Sequence, residues 1–303
     1  MQILGENTTD KTALREMQDK IGELPVLPQV LVKILQLDPA SEDYFEEFGK
    51  LTKEDPAFAV RVIALANSAA SAPAVPVASI RDALTRMGAE AIRSLVASLA
   101  VQRVFMPTAA HEVRLWQHSV FAAFAAAEIA EITPNLEVDP AEAYLVGLLH
   151  DIGRFVMFEH AALNLLKVDE SNWHTPEELV EADIKVYNFT HSELGYLACQ
   201  HWKLPETIAD VVRQHHAVLD VQISGGSVDA TTLCVQVADR LCLSLLQRPD
   251  FDETDEQLRK EHILNDCLRT ERERELIRVE TLVNNLDRIS RDSKDLLSGL
   301  GFA

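Results

Sequence analysis

Helix-start signals recur along this chain and constrain its fold more than any other feature. A residue that can cap a helix precedes proline in Asp55-Pro56, Asp139-Pro140 and Thr175-Pro176, and Thr190 precedes Glu193 by three positions. Alternating apolar and polar runs of the strand type are scarce, and the hairpin dipeptides Asn-Gly and Asp-Gly are absent. The sequence therefore predicts an all-α fold.

The same signals place individual helices. Ser79 with Asp82 predicts a helix that runs to about Val104, and Asp55-Pro56 predicts another over 57–68. Three further predicted helices carry histidines. The first follows a capping box at Asp139 and contains His150, and the second follows a capping box at Thr190 and holds His191 in its first turn. The third starts at Pro205 and ends near His215-His216. Thr175 to Glu178 predicts one more box.

The chain divides into four parts by composition. We expect a flexible N-terminus over 1–14, an N-terminal helical subdomain over 15–108, a second helical subdomain over 112–245 and an amphipathic C-terminal segment over 246–303. In the last part, apolar residues recur at helical spacing, at Leu276, Val279, Leu282, Val283, Leu286 and Ile289. This stripe predicts a helix whose apolar face packs against the rest of the same chain. The alternative is that this face binds a helix of a partner protein.

Charge and hydropathy exclude several functions. The net charge is −20, from 48 acidic and 28 basic residues, and this balance opposes binding to nucleic acid or to an anionic membrane. The apolar run 121–130 is too short to span a membrane, and the N-terminus lacks the pattern of a signal peptide. We therefore expect a cytoplasmic protein. The four cysteines show no CxxC pairing, so free and buried thiols are expected.

Seven histidines and aspartates dominate the chemistry of the second subdomain. They are His118, His150, Asp151, His191, His215, His216 and Asp239. Imidazole and carboxylate groups are good ligands for divalent metals, and helical bundles commonly build such sites from several helices. Each residue alone has a structural explanation, such as a hydrogen-bonded buried histidine or an ion-paired aspartate. The joint pattern favours convergence on one or two divalent metal ions.

Two sets of motifs resemble known families. Leu149-His150-Asp151-Ile152-Gly153-Arg154 resembles the HD superfamily of metal-dependent phosphohydrolases. The chain also resembles a narrower family, the HDOD domain, over roughly 20–220. Six stretches of the sequence carry this resemblance. They are Leu24-Pro25-Val26-Leu27-Pro28, Glu54-Asp55-Pro56-Ala57-Phe58, Leu65-Ala66-Asn67-Ser68-Ala69, Ile80-Arg81-Asp82-Ala83-Leu84 with Met87-Gly88, His191-Ser192-Glu193-Leu194-Gly195 and Trp202-Lys203-Leu204-Pro205. The resemblance implies a bacterial protein of signalling or regulation, built as an HD-type helical bundle after an N-terminal helical subdomain.

The order of the seven residues is also similar to that of the HD-GYP branch, whose members bind two or three metals and hydrolyse cyclic di-GMP. By that match the seven residues are metal ligands. Two departures limit the match. The Gly-Tyr-Pro signature is replaced here by Ala217-Val218-Leu219, so the resemblance gives no reason to expect cyclic di-GMP as the substrate. Position 114 is arginine where trinuclear members have glutamate, which favours two ions. Iron or manganese is favoured, with zinc as the alternative.

Two functional hypotheses follow. The first is a signalling protein whose two-metal site serves interaction with a protein partner or a phosphate-containing small molecule. The second is a metal-dependent phosphohydrolase in which Asp151 bridges the metals and Arg154, one helical turn beyond His150, binds the phosphate. For Arg154, a surface salt bridge is the structural alternative. Nucleic acid is disfavoured as a partner because of the net charge.

Overall fold

The computed structural model describes residues 11–22, 33–34, 37, 41, 43–52, 60, 62–63, 67, 77, 79–219, 223–246 and 256–302. The regular structure within these ranges is helical, which confirms the all-α prediction. The helices are α1 (Lys11–Ile21), α2 (Tyr44–Thr52), α3 (Ile80–Val104), α4 (Ala110–Ile132), α5 (Pro140–Leu149), α6 (Ile152–Asp169), α7 (Pro176–Tyr187), α8 (His191–His201), α9 (Glu206–Gln214), α10 (Val228–Leu246), α11 (Glu256–His262), α12 (Glu271–Leu276) and α13 (Val279–Leu300).

Local capping explains where several helices begin. The Ser79 hydroxyl accepts a hydrogen bond from the Asp82 backbone N–H at 3.1 Å, and α3 runs to Val104 as predicted. At α8 the Thr190 hydroxyl accepts from the Glu193 N–H at 3.1 Å, and the Glu193 carboxylate accepts from the Thr190 N–H at 2.9 Å. This reciprocal capping box satisfies N–H groups that the first turn leaves without partners. The position of His191 in the first turn is thereby confirmed.

The prediction for His150 was wrong in one respect. Asp139 does cap α5, because its carboxylate accepts from the Ala141 N–H at 2.9 Å. That helix ends at Leu149, however, so His150 lies after it and not inside it. Asp151, with φ −95° and ψ 16°, leaves the helical conformation before α6 begins at Ile152. The pair His150-Asp151 therefore occupies a break between two helices.

Helix α4 is the centre of the bundle and packs against α5, α10 and α13. Small side chains permit close approach, because Ala122, Ala123, Ala125 and Ala126 are fully buried. A Cβ on Gly147 of α5 would lie only 2.9 Å from the Ala122 carbonyl oxygen, so the backbones of α4 and α5 are in contact. Around this centre, α8 packs against α6 and α9, and α3 packs against α5.

The C-terminal stripe packs on the same chain, as predicted. Val279, Leu282, Val283, Leu286 and Ile289 are buried, and α13 lies along α4. Polar groups reinforce this contact, because the buried Glu128 carboxylate of α4 accepts hydrogen bonds from Asn285 and Arg288. The four cysteines are free and buried, which confirms that prediction.

The predicted division of the chain stays a prediction. Among the described residues, one continuous apolar core extends from Met17 to Phe302. Helix α1 begins at Lys11, inside the segment predicted to be flexible, and it packs against α8. Residues 1–10 and most of the helix predicted over 57–68 lie outside the described residues. Within the described part of the chain, no helix has the length and apolarity needed to cross a membrane.

The contact between α6 and α8 yields a stability prediction. A Cβ on Gly153 would lie 1.9 Å from the His191 carbonyl oxygen, so Gly153→Ala must push the two backbones apart. We expect a loss of unfolding free energy on the order of 3 kcal/mol or more, measured by urea denaturation. Gly49→Ala is the control: its Cβ would meet no atom within 4 Å, and the α2 interior should gain up to about 1 kcal/mol. An unchanged midpoint for Gly153→Ala would contradict the predicted contact.

Candidate metal centre

Four helices and the break between α5 and α6 bring the seven predicted residues together. His118 lies on α4, His191 opens α8, His215 and His216 directly follow α9, and Asp239 lies on α10. All are buried except His216, which is half-buried. The site therefore sits in the interior of the bundle, where isolated charges are costly and each must find a partner.

One group of ligand atoms surrounds the first half of the site. The His118 Nε2 atom lies 3.1 Å from His150 Nε2, 3.5 Å from Asp151 Oδ2 and 3.3 Å from Asp239 Oδ1. The His150 Nε2 atom lies 3.7 Å from the same Asp151 oxygen and 4.0 Å from Asp239 Oδ1. The ligand atoms of His118, His150 and Asp151 lie within 4.8 Å of one another, so they could hold a metal ion.

A second group lies on the other side of Asp151. The His191 Nε2 atom lies 3.2 Å from His215 Nε2 and 2.9 Å from His216 Nε2. The three ligand atoms again lie within 4.8 Å of one another. Asp151 Oδ1 faces this group, at 3.2 Å from His191 Nε2 and 3.9 Å from His215 Nε2. The two oxygens of one carboxylate thus face two separate groups of histidines.

Hydrogen bonds on the far side of each ring determine which nitrogen faces the site. His150 Nδ1 lies 2.7 Å from the Gly147 carbonyl and His215 Nδ1 lies 2.6 Å from the Val212 carbonyl. Since a carbonyl oxygen can only accept, both Nδ1 atoms carry the proton and donate. The Nε2 atoms of His150 and His215 are therefore the ones left to bind a cation.

The Asp183 carboxylate orients His191, and the sequence analysis missed it. Asp183 is fully buried, and its Oδ2 atom accepts from the His191 backbone N–H at 2.9 Å and lies 2.5 Å from His191 Nδ1. Such carboxylate partners are common behind metal-binding histidines. A signal was present: Asp183 shares the apolar face of α7 with the buried Leu179, Ala182 and Tyr187.

The geometry fits a bound cation. With Nδ1 of His191 held by Asp183 and Nδ1 of His215 held by a carbonyl, both Nε2 atoms turn their lone pairs toward each other at 3.2 Å. Two acceptors at that distance repel unless a positive charge, a proton or a metal ion, lies between them. The donor set of imidazole nitrogens and carboxylate oxygens is suited to iron, manganese or zinc.

Burial and neighbouring charges shift the pKa values across the site. Burial, together with repulsion from neighbouring imidazoles, holds the pKa of His215 and of His216 well below its usual range. Burial would also lower the pKa of His191, but Asp183 and Asp151 outweigh it and raise that pKa. For His118, burial is likewise outweighed, by Cys242, Asp239 and Asp151, and the pKa is raised well above its usual range.

The Asp151 carboxyl is ionised despite its burial. Burial alone would raise its pKa, but His150, His191 and Arg154 favour the charged form more strongly and hold the pKa well below its usual range. The pKa of Asp239 is also lowered, since His118 outweighs burial there. Both carboxylates are thus negative at neutral pH, as metal ligands must be.

The site forms the floor of two cavities. The smaller has a volume of about 240 Å³ and is lined by His118, Asp151, His216 and Asp239 together with His111, Arg114, Leu115, Arg154, Phe158, Asp169, Trp173, Leu179 and Leu243. The larger has a volume of about 410 Å³ and is lined by His215, His216 and Asp239 together with Pro176, Glu177, Ala217, Val218, Leu219, Ile223, Leu233, Gln236, Arg240, Arg269, Thr270, Glu271, Arg272 and Glu273. Both groups of ligands can therefore be reached from outside the bundle.

Arg154 is buried and lies at the smaller cavity, so a surface salt bridge does not describe it. Its guanidinium donates from Nη2 to Asp169 Oδ1 at 2.6 Å and lies 5.6 Å from the centre of the Trp173 ring. Its Nε atom lies 3.9 Å from Asp151 Oδ2, too far for a hydrogen bond. The N–H groups at Nε and Nη1 are buried without a hydrogen-bond partner.

The five other histidines of the chain lie outside both groups. They are His111, His160, His174, His201 and His262, and none contributes to either group of ligand atoms. His111 nevertheless lines the smaller cavity, where its ring packs on Phe158 with centroids 4.8 Å apart.

The fold and the site define an all-α protein with clustered histidines and aspartates at the centre of a helical bundle. Residues 24–218 match the sequence model of the HDOD domain. The chain belongs to the HDOD family.

Several proteins are similar to this chain. An uncharacterized protein of Treponema pallidum (strain Nichols) is 26% identical over 200 residues, which are 65% of this chain and 38% of that protein. The chain thus matches well under half of that relative. An HDOD domain protein with unknown function from Geobacter sulfurreducens is 26% identical with a TM-score of 0.69, covering 94% of this chain and 97% of that one. A Shewanella amazonensis SB2B protein named "Putative phosphohydrolase" shares the fold, with a TM-score of 0.71 at 20% identity over 96% of this chain and 99% of that one.

The raised pKa values of His191 and His118 predict that metal binding is coupled to proton release. A raised pKa increases the fraction of these rings that carries a proton in the metal-free protein near neutral pH. A metal ligand must be neutral, so affinity should increase as the pH rises through those pKa values. Calorimetry in buffers of different ionisation enthalpy measures the release. Binding that is independent of pH between 6 and 8 would contradict the prediction.

Removal of the charge behind His191 should weaken metal binding without unfolding the protein. Asp183→Asn keeps an oxygen that can accept from the His191 N–H but loses the negative charge. We expect a loss of metal affinity of roughly 10- to 100-fold, measured by competition with a chelating dye. Asp210→Asn, which alters a carboxylate paired with Arg213 on α9, is the matched control and should bind normally. Equal affinities for both variants would refute the role given to Asp183.

Proposed function

We propose that this HDOD protein holds two divalent metal ions and uses them to bind and hydrolyse a phosphate ester. One ion would be held by His118, His150 and Asp239, the other by His191, His215 and His216. Asp151 would be shared between them. Iron or manganese is the proposed metal, with zinc as the alternative.

The observation that carries this proposal is the position of the Asp151 carboxylate. Its two oxygens face different groups of imidazoles at distances of 3.2–3.9 Å. A carboxylate in that position is the usual bridge of a two-metal site. The larger and smaller cavities both reach the ligands. A structural metal site is closed by protein ligands, whereas an accessible one keeps a position for substrate, so access favours chemistry on a bound molecule.

The residues around the proposed ions have separate tasks. When bound, the ions would supply Lewis-acid chemistry, which activates water as a nucleophile and neutralises charge on phosphoryl oxygens. Arg154 would donate its two unpartnered N–H groups to the phosphoryl oxygens. Asp169 holds the guanidinium in place by a hydrogen bond of 2.6 Å, and Asp183 fixes the ring of His191. The low pKa of Asp151 keeps its carboxylate charged.

Regulation by binding alone is the second candidate. In that case the protein would sense a phosphate-containing small molecule, or present its surface to a protein partner, without turnover. Membership in the HDOD family favours it, because the HDOD motifs imply a protein of signalling or regulation. Turnover distinguishes the two candidates, since both allow metal binding.

The deciding experiment joins metal analysis with a phosphodiesterase and phosphomonoesterase screen on one sample purified without oxygen. We expect about two metal ions per chain and hydrolysis of at least one ester class. Asp151→Asn should lower the rate by roughly a hundredfold or more, because the bridge between the ions is weakened. Asp210→Asn is the control with the same charge change and should retain the wild-type rate.

Three results would change the proposal. The absence of stoichiometric metal would reject the metal centre. Metal and phosphate binding without turnover of any ester would reject hydrolysis and support regulation by binding. Full activity in Asp151→Asn would reject the shared carboxylate.

A further inference from the structure

The smaller cavity contains more hydrogen-bond donors than the protein itself satisfies. The Nε and Nη1 groups of Arg154 and the indole N–H of Trp173 are buried without partners, and both side chains line this cavity. Arg154 is only 5% exposed. Buried donors are almost always paired in folded proteins, so unpaired donors at a cavity indicate a ligand with acceptor oxygens. An anionic ligand fits best, because one of the donors is a guanidinium.

A second arginine lines the same cavity. Arg114 is exposed on α4, and within the described part of the chain it forms no ion pair with a carboxylate. It precedes His118 by four residues, which is just over one helical turn, or about 6 Å along the axis. His111, Arg114, Leu115 and His118 thus form one face of α4 that lines the cavity and ends at a proposed metal ligand.

Apolar and polar side chains share the wall of this cavity. Leu115, Phe158 and Leu179 line it together with His111, Asp169 and Trp173. A ligand that reaches both arginines therefore carries an anionic group for each of them, and an uncharged part of it fits against the apolar side chains. The volume of about 240 Å³ restricts that ligand to a small molecule.

From this arrangement we infer that the substrate carries a second anionic group, bound by Arg114 in the same cavity as the phosphate that reacts. This inference rests on the proposed function, and it names the substrate class: a small phosphate ester with an additional carboxylate or phosphate. Arg154 contacts the reacting phosphate, and Arg114 acts as a specificity-determining residue for the second group. The indole N–H of Trp173 provides a further donor to the bound anion.

Two matched probes test the inference without turnover. Phosphonopropionate and propylphosphonate share a phosphonate and differ in the terminal carboxylate. Their dissociation constants are measured by calorimetry on the metal-loaded protein. In the wild type we expect phosphonopropionate to bind about fivefold more tightly than propylphosphonate. This difference corresponds to one exposed ion pair of good geometry. In Arg114→Gln this advantage should fall to less than about twofold, with propylphosphonate affinity nearly unchanged.

Arg213→Gln is the control for the change in net charge. Arg213 is an exposed arginine on α9 that pairs with Asp210 and packs over Tyr196, and it does not line the cavity. This variant should keep the fivefold advantage of the carboxylate probe. Arg154→Gln should weaken both probes together, by roughly tenfold, because the shared phosphonate loses a charge-assisted hydrogen bond.

The results separate this inference from the proposed function. Equal affinities of the two probes in the wild type, or an unchanged advantage in Arg114→Gln, would overturn the subsite even if the protein hydrolyses phosphate esters. An Arg114-dependent carboxylate advantage in a protein that contains metal but turns over no ester would retain the subsite and reject hydrolysis.

Discussion

The buried carboxylate of Asp151 is the interaction on which the rest of the site depends. A lone charge in the interior of a helical bundle would be neutralised or excluded, because its desolvation costs several kcal/mol. Here histidines on both sides and the guanidinium of Arg154 compensate it. The carboxylate in turn keeps two groups of histidines close together, although they repel each other when protonated. The break between α5 and α6 presents both oxygens, one to each group.

The helices around Asp151 can be understood as supports for that arrangement. Gly153 allows the α6 backbone to touch the first turn of α8, and this contact brings His191 to the carboxylate. Alanines on α4 and Gly147 on α5 allow those helices to approach closely, which places His118 beside His150. Asp239 lies on α10, which packs against α4 and α5. Small residues at the helix contacts thus determine distances between ligands.

The sequence predicted the parts of this structure that depend on local interactions. The first-turn position of His191 follows from a capping box within four residues, and α3 follows from Ser79 and Asp82. The break at His150-Asp151 could not be predicted, because apolar residues continue on both sides of it and hide the end of α5. The role of Asp183 was missed because an acidic residue on an amphipathic helix usually faces solvent. The grouping of the seven residues depends on contacts between helices, from His191 with His215, 24 positions apart, to His118 with Asp239, which lie far apart in the sequence, and local patterns do not encode such contacts.

The packing of α13 on α4 has a consequence for how the site is made. All seven proposed ligands precede residue 240, whereas the helix that covers α4 spans Val279–Leu300. During synthesis the ligands leave the ribosome before the segment that covers α4, where the rings of Trp116 and Phe302 pack with centroids 5.2 Å apart. Until α13 is made, the face of α4 that it covers would be exposed, and α4, which carries His118, would be held less firmly. Acquisition of metal is therefore expected to follow synthesis of α13, and the loss of turns from that helix would impair the site from a distance.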